Sequence, residues 1–420
     1  MLNLIGVIVS FSIIFFLIRK KVNFGASLIL GSLVLGFFSL QEIELIDIPK
    51  AMIQGSFYSF ESNQVVTETI ELALLLFFIY ILAKTMQESG AIDKLINSLR
   101  TLFSKGAILG VVPAVFGLMP VPGGALFSAP SIDEEGKKFN LDNHQKNFLN
   151  IWFRHIWFAI YPISSAMILI SSKEFFDINI YHLVLVQTPA FLSMIVIGLL
   201  MIRHFTKNQE QEKSKQITRE YSGLIYLLPP LIPLFVSAIL IPLGISQVRS
   251  FLIGILFSIF FVLVREVPKD NYVGILKKSL SWKLPLAIFG IMIFREMFMV
   301  SKVDVLLADA VQGVAIPAII IIILVPLFFG VVMGYNLGAV GISFPIIASF
   351  LPLFGEANMV ALASILYMSS LVGYLISPLH LCNVVSSEYL KVNVLGMYKM
   401  LVPAAFLLLI VNTVVMIFIL

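Results

Sequence analysis

The sequence predicts an all-α polytopic membrane protein with about ten transmembrane helices and two re-entrant helical hairpins, arranged as two inverted-topology repeats. Three observations support this fold class: the composition, the spacing of the apolar runs, and motifs that recur in the second half. Of the 420 residues, 59% are hydrophobic, 12% are charged and 36 are Phe. Such a composition is typical of a chain that crosses a lipid bilayer many times.

The apolar runs define the expected spans, because about 17 to 25 apolar residues cross a hydrocarbon core roughly 30 Å thick. The first run carries its basic residues after the apolar stretch, which is the reverse of a secretory signal, so it predicts a first span. Full spans are expected at about 2–18, 22–40, 65–87, 147–171, 182–203, 222–240, 248–264, 281–299, 357–380 and 394–419.

The charged loops predict the orientation. Basic residues fall on one side of the ten spans, at Arg19, Lys20, Lys21, Lys94, Arg100, Lys105, Lys137, Lys138, Lys207, Lys213, Lys215, Lys277, Lys278 and Lys391. The positive-inside rule makes that side cytoplasmic, and both termini are then extracytoplasmic in an inner or plasma membrane. Because these loops account for most of the basic residues, the net charge of +4 indicates no nucleic-acid partner.

Two further apolar stretches, at about 106–135 and 315–352, are interrupted midway by residues that cannot continue a helix. The interrupting residues are Pro120, Pro122, Gly123 and Gly124 in the first stretch and Gly334, Tyr335, Asn336 and Gly338 in the second. Straight double spans with tight turns at the membrane surface are the alternative. Stretches that enter and leave on one side keep the charge pattern of the ten spans consistent, so we predict two re-entrant hairpins.

The second half of the chain echoes the first. "GALFSAP" at 124–130 matches "GAVGISFP" at 338–345, which aligns Ser128 with Ser343. "SGAIDKLINSL" at 89–99 likewise matches "SKVDVLLADA" at 301–310. "WFAIYPISSAMIL" at 157–169 matches "GYLISPLHLCNVV" at 373–385, which aligns Pro162 with Pro378. These matches occur in the same order and at nearly constant offset, so they indicate an internal duplication.

The duplication predicts the domain organisation. Each repeat holds five full spans and one hairpin, and the odd number of crossings inverts the second copy, so the two hairpins enter from opposite sides. The predicted units are a first repeat at 1–203 with a broken span at 147–171, a charged cytoplasmic linker at 204–221, and a second repeat at 222–420 with a broken span at 357–385.

The broken helices predict a binding site, because unpaired backbone groups cannot persist in lipid without a partner. The N-terminus of a half-helix suits a carboxylate or another anion, and unwound carbonyls suit Na⁺. The candidate residues are Pro122, Gly123, Gly124 and Ser128 in the first hairpin and Asn336, Gly338 and Ser343 in the second. The alternatives are tight turns that bind nothing, and serines that bond back to the preceding turn.

The two broken spans supply a second group of candidates. Pro162 and Pro378 each remove a helix hydrogen bond in mid-span. Polar residues follow directly, with Ser164 and Ser165 in one half and His380, Cys382 and Asn383 in the other. Asn has a donor and an acceptor, and His can bind an anion or carry a coupling proton. A kink without a ligand is the alternative.

Four further residues could carry charge. Arg154 and His155 precede Pro162, where Arg154 either attracts an anionic substrate or extends its charged end to the interface. Glu68 and Glu71 lie three residues apart near the outer end of the third span. Interfacial anchoring is one interpretation of this pair, and ion coupling is the other.

The architecture resembles the ion-transporter superfamily, which contains dicarboxylate/sodium symporters and tripartite-transporter membrane subunits. The resemblance rests on two inverted repeats, each with a hairpin and a Pro-broken span, and "PVPGGALFSAP" is most similar to an uncharacterised ten-span family in that group. It implies an elevator-type secondary transporter that forms a homodimer. The chain departs from the dicarboxylate symporters at the hairpin tips, where it has "MPVPGGA" and "GYNLGA" in place of their Ser-Asn-Thr motifs. The resemblance therefore does not extend to dicarboxylate specificity.

Enzymatic functions are disfavoured, because HExxH, GxSxG and Walker A motifs are absent, and the five dispersed histidines and single cysteine predict no metal-ligand cluster. We expect no cofactor and no metal, apart from Na⁺ at the hairpin tips. The expected function is Na⁺- or H⁺-coupled transport of a small, anionic, carboxylate-bearing solute. The alternative is a Na⁺/H⁺ antiporter that uses Glu68 and Glu71. A membrane scaffold, or a hydrolase that uses Ser128, is more remote.

Overall fold

The structure is a computed structural model that describes residues 2–60, 62–103, 106–119, 123–207, 221–312 and 317–420. Within these residues the chain is mostly helical. The strands are β1 (Tyr58–Ser59) and β2 (Gln64–Val65), which pair antiparallel. Most of the proposed linker, and the tip residues Pro120 and Pro122 of the first hairpin, lie outside the described residues.

Among its described residues, the first half contains ten α-helices and a short 3₁₀ helix, Ile156–Ala159. The α-helices are α1 (Leu2–Arg19), α2 (Phe24–Phe38), α3 (Asp47–Gln54), α4 (Thr67–Glu88), α5 (Ala91–Leu102), α6 (Ile108–Gly117), α7 (Ala125–Lys137), α8 (Asn143–Arg154), α9 (Ser165–Ser171) and α10 (Ile180–Thr206).

The described part of the second half contains ten more α-helices and 3₁₀ turns at Ser222–Leu227, Lys269–Asn271 and Leu351–Phe354. The α-helices are α11 (Leu228–Leu240), α12 (Gln247–Glu266), α13 (Tyr272–Ser279), α14 (Lys283–Val300), α15 (Val303–Gln312), α16 (Ala318–Met333), α17 (Asn336–Ala348), α18 (Met359–Ile376), α19 (Leu381–Tyr389) and α20 (Val394–Ile417).

Within the described residues, seven of the ten predicted spans coincide with helices that are long and apolar enough to cross a membrane. The other three differ for identifiable reasons. Helix α2 has only 15 residues, and α14 contains Lys283, Arg295 and Glu296. The span expected at 147–171 is divided into α8, the 3₁₀ helix and α9. The count of ten spans and the re-entrant paths of the hairpins therefore stay predictions.

Helix packing divides most of the fold into two groups. The first is formed by α1, α2, α4 and α11 to α14, in which α2 and α4 pack on α14 and α11 packs on α12. The second contains the helices next to the breaks, with α6 and α7 on α8, α16 and α20 on α18, and α19 on α7. Helices α10 and α20 pack on α8 and α18, so they belong to the second group. The sequence analysis counted both among the full spans and not among the broken ones.

Glycines bring the helices that lead into the breaks close together. A Cβ atom built at Gly330 of α16 would lie 2.5 Å from the carbonyl oxygen of Ser370, and one at Gly373 of α18 would lie 2.2 Å from that of Leu327. Close backbone approach at small residues is typical of helix pairs in membranes. The contact holds the last turn of α16 beside the last turn of α18, next to the points where the two helices end.

Candidate functional site

Each predicted hairpin is a pair of packed helices joined by a break. Helix α6 ends at Gly117 and α7 begins at Ala125, while α16 ends at Met333 and α17 begins at Asn336. Gly334 terminates α16 with a φ of 59°, a left-handed conformation that glycine adopts at little cost. Its Cβ position lies only 2.6 Å from the carbonyl carbon of Leu379. The hairpin break of the second half is therefore packed directly against the broken span of that half.

The two broken spans are also interrupted near their prolines. Helix α8 ends at Arg154 and α9 begins at Ser165, so Pro162 lies in a link that includes the 3₁₀ helix. Helix α18 ends at Ile376, and α19 begins at Leu381, three residues after Pro378. Each proline therefore stands between two separate helices rather than inside one kinked helix.

The breaks of both halves meet at a cavity of about 290 Å³. Two helices of nine or more residues, α17 and α19, begin at its wall, and the short α9 begins there too. Helix α7 begins two residues after Gly123, which also lines the cavity. Its lining contains eight of the residues named in the sequence analysis as candidates, namely Gly123, Arg154, His155, Ser164, Ser165, Asn336, His380 and Cys382. The first N–H groups of a helix have no partner within it and carry partial positive charge, so this arrangement makes the wall of the cavity electropositive.

Arg154 is the cation of this site. Its side chain is 2% exposed, and Nη1 donates a hydrogen bond to the carbonyl oxygen of Phe116 at 2.8 Å. A Cβ atom on Gly124 would lie 2.1 Å from Nη2. Gly124 therefore provides the space that holds the guanidinium group against the start of α7. The structure places Arg154 inside the cavity wall, which disagrees with a side chain that reaches the membrane interface.

We expect Gly124→Ala to reduce anion binding while the protein still folds. The new methyl group meets the mobile end of Arg154, so the guanidinium group moves and the backbone does not need to. Gly136→Ala on the same helix is the matched control, because its Cβ atom would lie 2.8 Å from the side-chain atom Cγ of Lys146. The measurement is anion affinity and melting temperature for both variants. Equal affinities in the two variants would contradict the role given to Gly124.

Three side chains from the two broken spans form a buried cluster beside Arg154, and we call His155, His380 and Cys382 the His-Cys cluster. One ligand atom from each lies within 4.8 Å of the others. The rings of His155 and His380 are 4.7 Å apart, and the ring of Tyr374 lies 3.9 Å from that of His380. The sequence analysis predicted no metal-ligand cluster from dispersed histidines, and the fold corrects that prediction because it brings the two broken spans together.

Two polar side chains in the cavity wall keep unused hydrogen-bonding atoms within the described residues. Asn336, the first residue of α17, accepts a hydrogen bond from Ser370 Oγ at 2.7 Å, but its Nδ2 has no partner there. Neither ring nitrogen of His380 has one, and the residue is 1% exposed. Because an unsatisfied buried polar group costs about 1 to 3 kcal/mol, a ligand that pairs with these atoms gains affinity.

Other predicted residues support the site without lining it. Ser128 donates to Oδ1 of Asn150 at 2.5 Å, and Nδ2 of Asn150 donates to Ser386 Oγ at 2.8 Å, so these residues connect α7, α8 and α19. Asn383 donates to the carbonyl oxygens of Leu375 at 2.9 Å and Ser377 at 3.1 Å, which satisfies the free end of α18. Sequence analysis missed Asn150, which carries no local signal.

The remaining hairpin and proline candidates also lie outside the cavity lining. Ser343 is buried, and its hydroxyl has no partner among the described residues. Gly338 packs near Phe24, Pro162 is buried in its link, and Pro378 is exposed. The equivalent positions Ser128 and Ser343 therefore have different surroundings in the two halves.

Glu68 and Glu71 form ion pairs away from the cavity. Glu71 Oε1 lies 2.6 Å from Nη2 of Arg249, and Glu68 Oε1 lies 3.8 Å from Nζ of Lys173. Both pairs have one exposed cationic partner, and exposed pairs typically contribute about 0 to 1 kcal/mol. These contacts agree with the anchoring interpretation of the two glutamates.

Comparisons with known proteins support the same architecture. Residues 3–419 match the model of a family described as "Protein of unknown function (DUF401)". Among solved structures, the chain is similar to the YdaH transporter of Alcanivorax borkumensis, with a TM-score of 0.58 and 13% identity over 89% of this chain and 95% of the other. No curated protein matches. At this identity the similarity shows a shared fold, and that fold is one found in a transporter.

Proposed function

The chain belongs to the DUF401 family, and we propose that it is a secondary active transporter of a small anionic, carboxylate-bearing solute. One observation carries the proposal: helices from both halves begin at one buried cavity that also contains Arg154. Helix N-termini that converge near the membrane midplane are typical binding elements for anionic substrate groups in transporters built from inverted repeats. The similarity of fold to a transporter supports the same conclusion.

The chemistry of the cavity favours an anion over a cation. Its lining, as far as the described residues form it, includes Arg154 and no Asp or Glu. The carboxylates that a Na⁺/H⁺ antiporter would need, Glu68 and Glu71, are instead paired with Lys173 and Arg249. Aromatic and aliphatic side chains form much of the wall, including Phe158, Tyr161, Tyr335, Tyr374 and Leu284. We therefore propose a solute that has a carboxylate at one end and an apolar body.

The division of the helices into two packing groups supports an elevator mechanism. The broken elements belong to the group around α8 and α18, and a few helix contacts, such as α14 with α17 and α4 with α9, join it to the other group. We propose that the broken group carries the solute across the bilayer and that α1, α2, α4 and α11 to α14 form the scaffold. Homodimerisation and coupling to Na⁺ or H⁺ are further parts of this proposal, suggested by the family resemblance.

The test is a melting-temperature screen of the purified protein against organic anions with and without Na⁺, followed by uptake into proteoliposomes. A ligand that binds only the folded state raises its stability by about 2.7 kcal/mol at 100 times its Kd. We expect carboxylates to stabilise the wild type, and Asn336→Ala to weaken that effect because Nδ2 of Asn336 is lost. Stabilisation by Na⁺ or pH alone, abolished by Glu68→Gln, would instead establish the antiporter.

A further inference from the structure

The His-Cys cluster has the donor set of a metal site. His155 lies in the link after α8, while His380 and Cys382 lie at the start of α19, and all three are at most 4% exposed. Their ligand atoms lie within 4.8 Å of one another. Two imidazole nitrogens and one thiolate, close together and shielded from water, are ligands that closed-shell transition-metal ions prefer.

A hydrogen bond to the backbone fixes the tautomer of one histidine of the cluster. Nδ1 of His155 lies 2.7 Å from the carbonyl oxygen of Ile151. A carbonyl oxygen can only accept, so Nδ1 carries the proton. The lone pair of Nε2 lies 3.4 Å from the hydroxyl oxygen of Tyr374, and a metal ion would replace that long hydrogen bond. Backbone carbonyls fix the tautomer of metal-binding histidines in this way. Both nitrogens of His380 have no partner within the described residues, so either can coordinate.

We propose that His155, His380 and Cys382 bind one soft closed-shell cation, Cu⁺ or Zn²⁺, and leave one coordination position open to the cavity. With metal–ligand bonds of about 2.0 to 2.3 Å, the ligand atoms must approach to roughly 3.3 to 3.8 Å of one another. Relative to the present limit of 4.8 Å, this is a contraction of roughly 1 to 1.5 Å. The three residues line the same cavity as the proposed solute site, but the test reads binding of the ion itself and does not depend on transport.

The charges around the cluster favour the monovalent ion. A metal-bound cysteine is a thiolate. A Cu⁺ ion with one thiolate and two neutral imidazoles forms a neutral complex, whereas Zn²⁺ with the same ligands keeps a charge of +1. The guanidinium group and the helix N-termini oppose that extra charge. We therefore expect Cu⁺ to bind more tightly than Zn²⁺.

The test measures metal content and coordination in the purified, tag-free chain. The protein is stripped with a chelator, equilibrated with Cu⁺ under reducing, oxygen-free conditions or with Zn²⁺ in a separate sample, and desalted before elemental analysis. We expect one metal ion per chain. X-ray absorption of the loaded wild type should show one sulfur and two nitrogen ligands from the protein, a result that does not depend on any variant folding.

Variants then assign the ligands. Cys382→Ser and His380→Gln should each lower the affinity at least about tenfold, while His182→Gln, an exposed histidine on α10, should leave it unchanged. A wild type that retains no metal, or variants that retain as much as the wild type, would overturn the proposal. So would a coordination shell without sulfur. A failure here leaves the anion-transport proposal intact, since carboxylate binding is measured separately in metal-free protein.

Discussion

Arg154→Gln should abolish most carboxylate binding and uptake. A hydrogen bond to a charged group contributes about 1.5 to 3 kcal/mol, so the carboxylate affinity should fall by about 10- to 150-fold. Glutamine is shorter than arginine, so the hydrogen bond that Nη1 donates to the carbonyl oxygen of Phe116 at 2.8 Å is lost as well. The melting temperature of the ligand-free variant therefore reports the loss of stability, and the carboxylate affinity reports the loss of the charge. The measurement is the carboxylate Kd from melting-temperature titration, together with uptake into proteoliposomes.

Arg203→Gln is the matched control, because Arg203 is exposed in the last turn of α10. It removes the same charge from the protein without changing the cavity. If both variants lose affinity equally, the net charge of the protein matters and the position of Arg154 does not. If Arg154→Gln keeps the wild-type affinity, the anion site is elsewhere and the proposed function loses its main support.

The interruptions of the helices were readable from the sequence because their causes are local. Gly334 ends α16 in a left-handed conformation that glycine adopts at little cost, and apolar run length alone predicts a span. The 2–18 and 394–419 spans match α1 and α20 closely for that reason. Asn336 and Gly338, which the sequence analysis also counted as interrupting residues, instead lie in α17. The broken span at 357–385 was likewise placed by Pro378, and α18 ends two residues before that proline.

The composition of the site depends on tertiary contacts that local sequence does not encode. His155 and His380 come from different halves, yet their rings lie 4.7 Å apart. Ser128 and Ser343 occupy equivalent positions in the motif, but Ser128 bonds to Asn150 and Ser343 lies outside the cavity lining. The sequence pattern locates a break, whereas packing against other helices decides which side chains face the cavity.

Gly334→Ala should destabilise the protein and displace the wall of the cavity. An L-residue in the left-handed region costs about 1 to 2 kcal/mol, and Gly334 has a φ of 59°. The added methyl group would also lie 2.6 Å from the carbonyl carbon of Leu379 and 2.7 Å from the nitrogen of His380. These are backbone atoms, so the contact can be relieved only if the link that carries His380 moves away from the start of α17.

Gly90→Ala separates the two effects, because Gly90 is left-handed like Gly334, with a φ of 76°, and has no atom within 4 Å of its Cβ position. Both variants carry the conformational cost, and only Gly334→Ala carries the collision. We expect Gly90→Ala to lower the melting temperature modestly and to keep carboxylate affinity. Gly334→Ala should lower the melting temperature further and reduce affinity at least about tenfold, which corresponds to roughly 1.4 kcal/mol. Equal behaviour of the two variants would show that the contact between the two breaks of the second half does not shape the binding site.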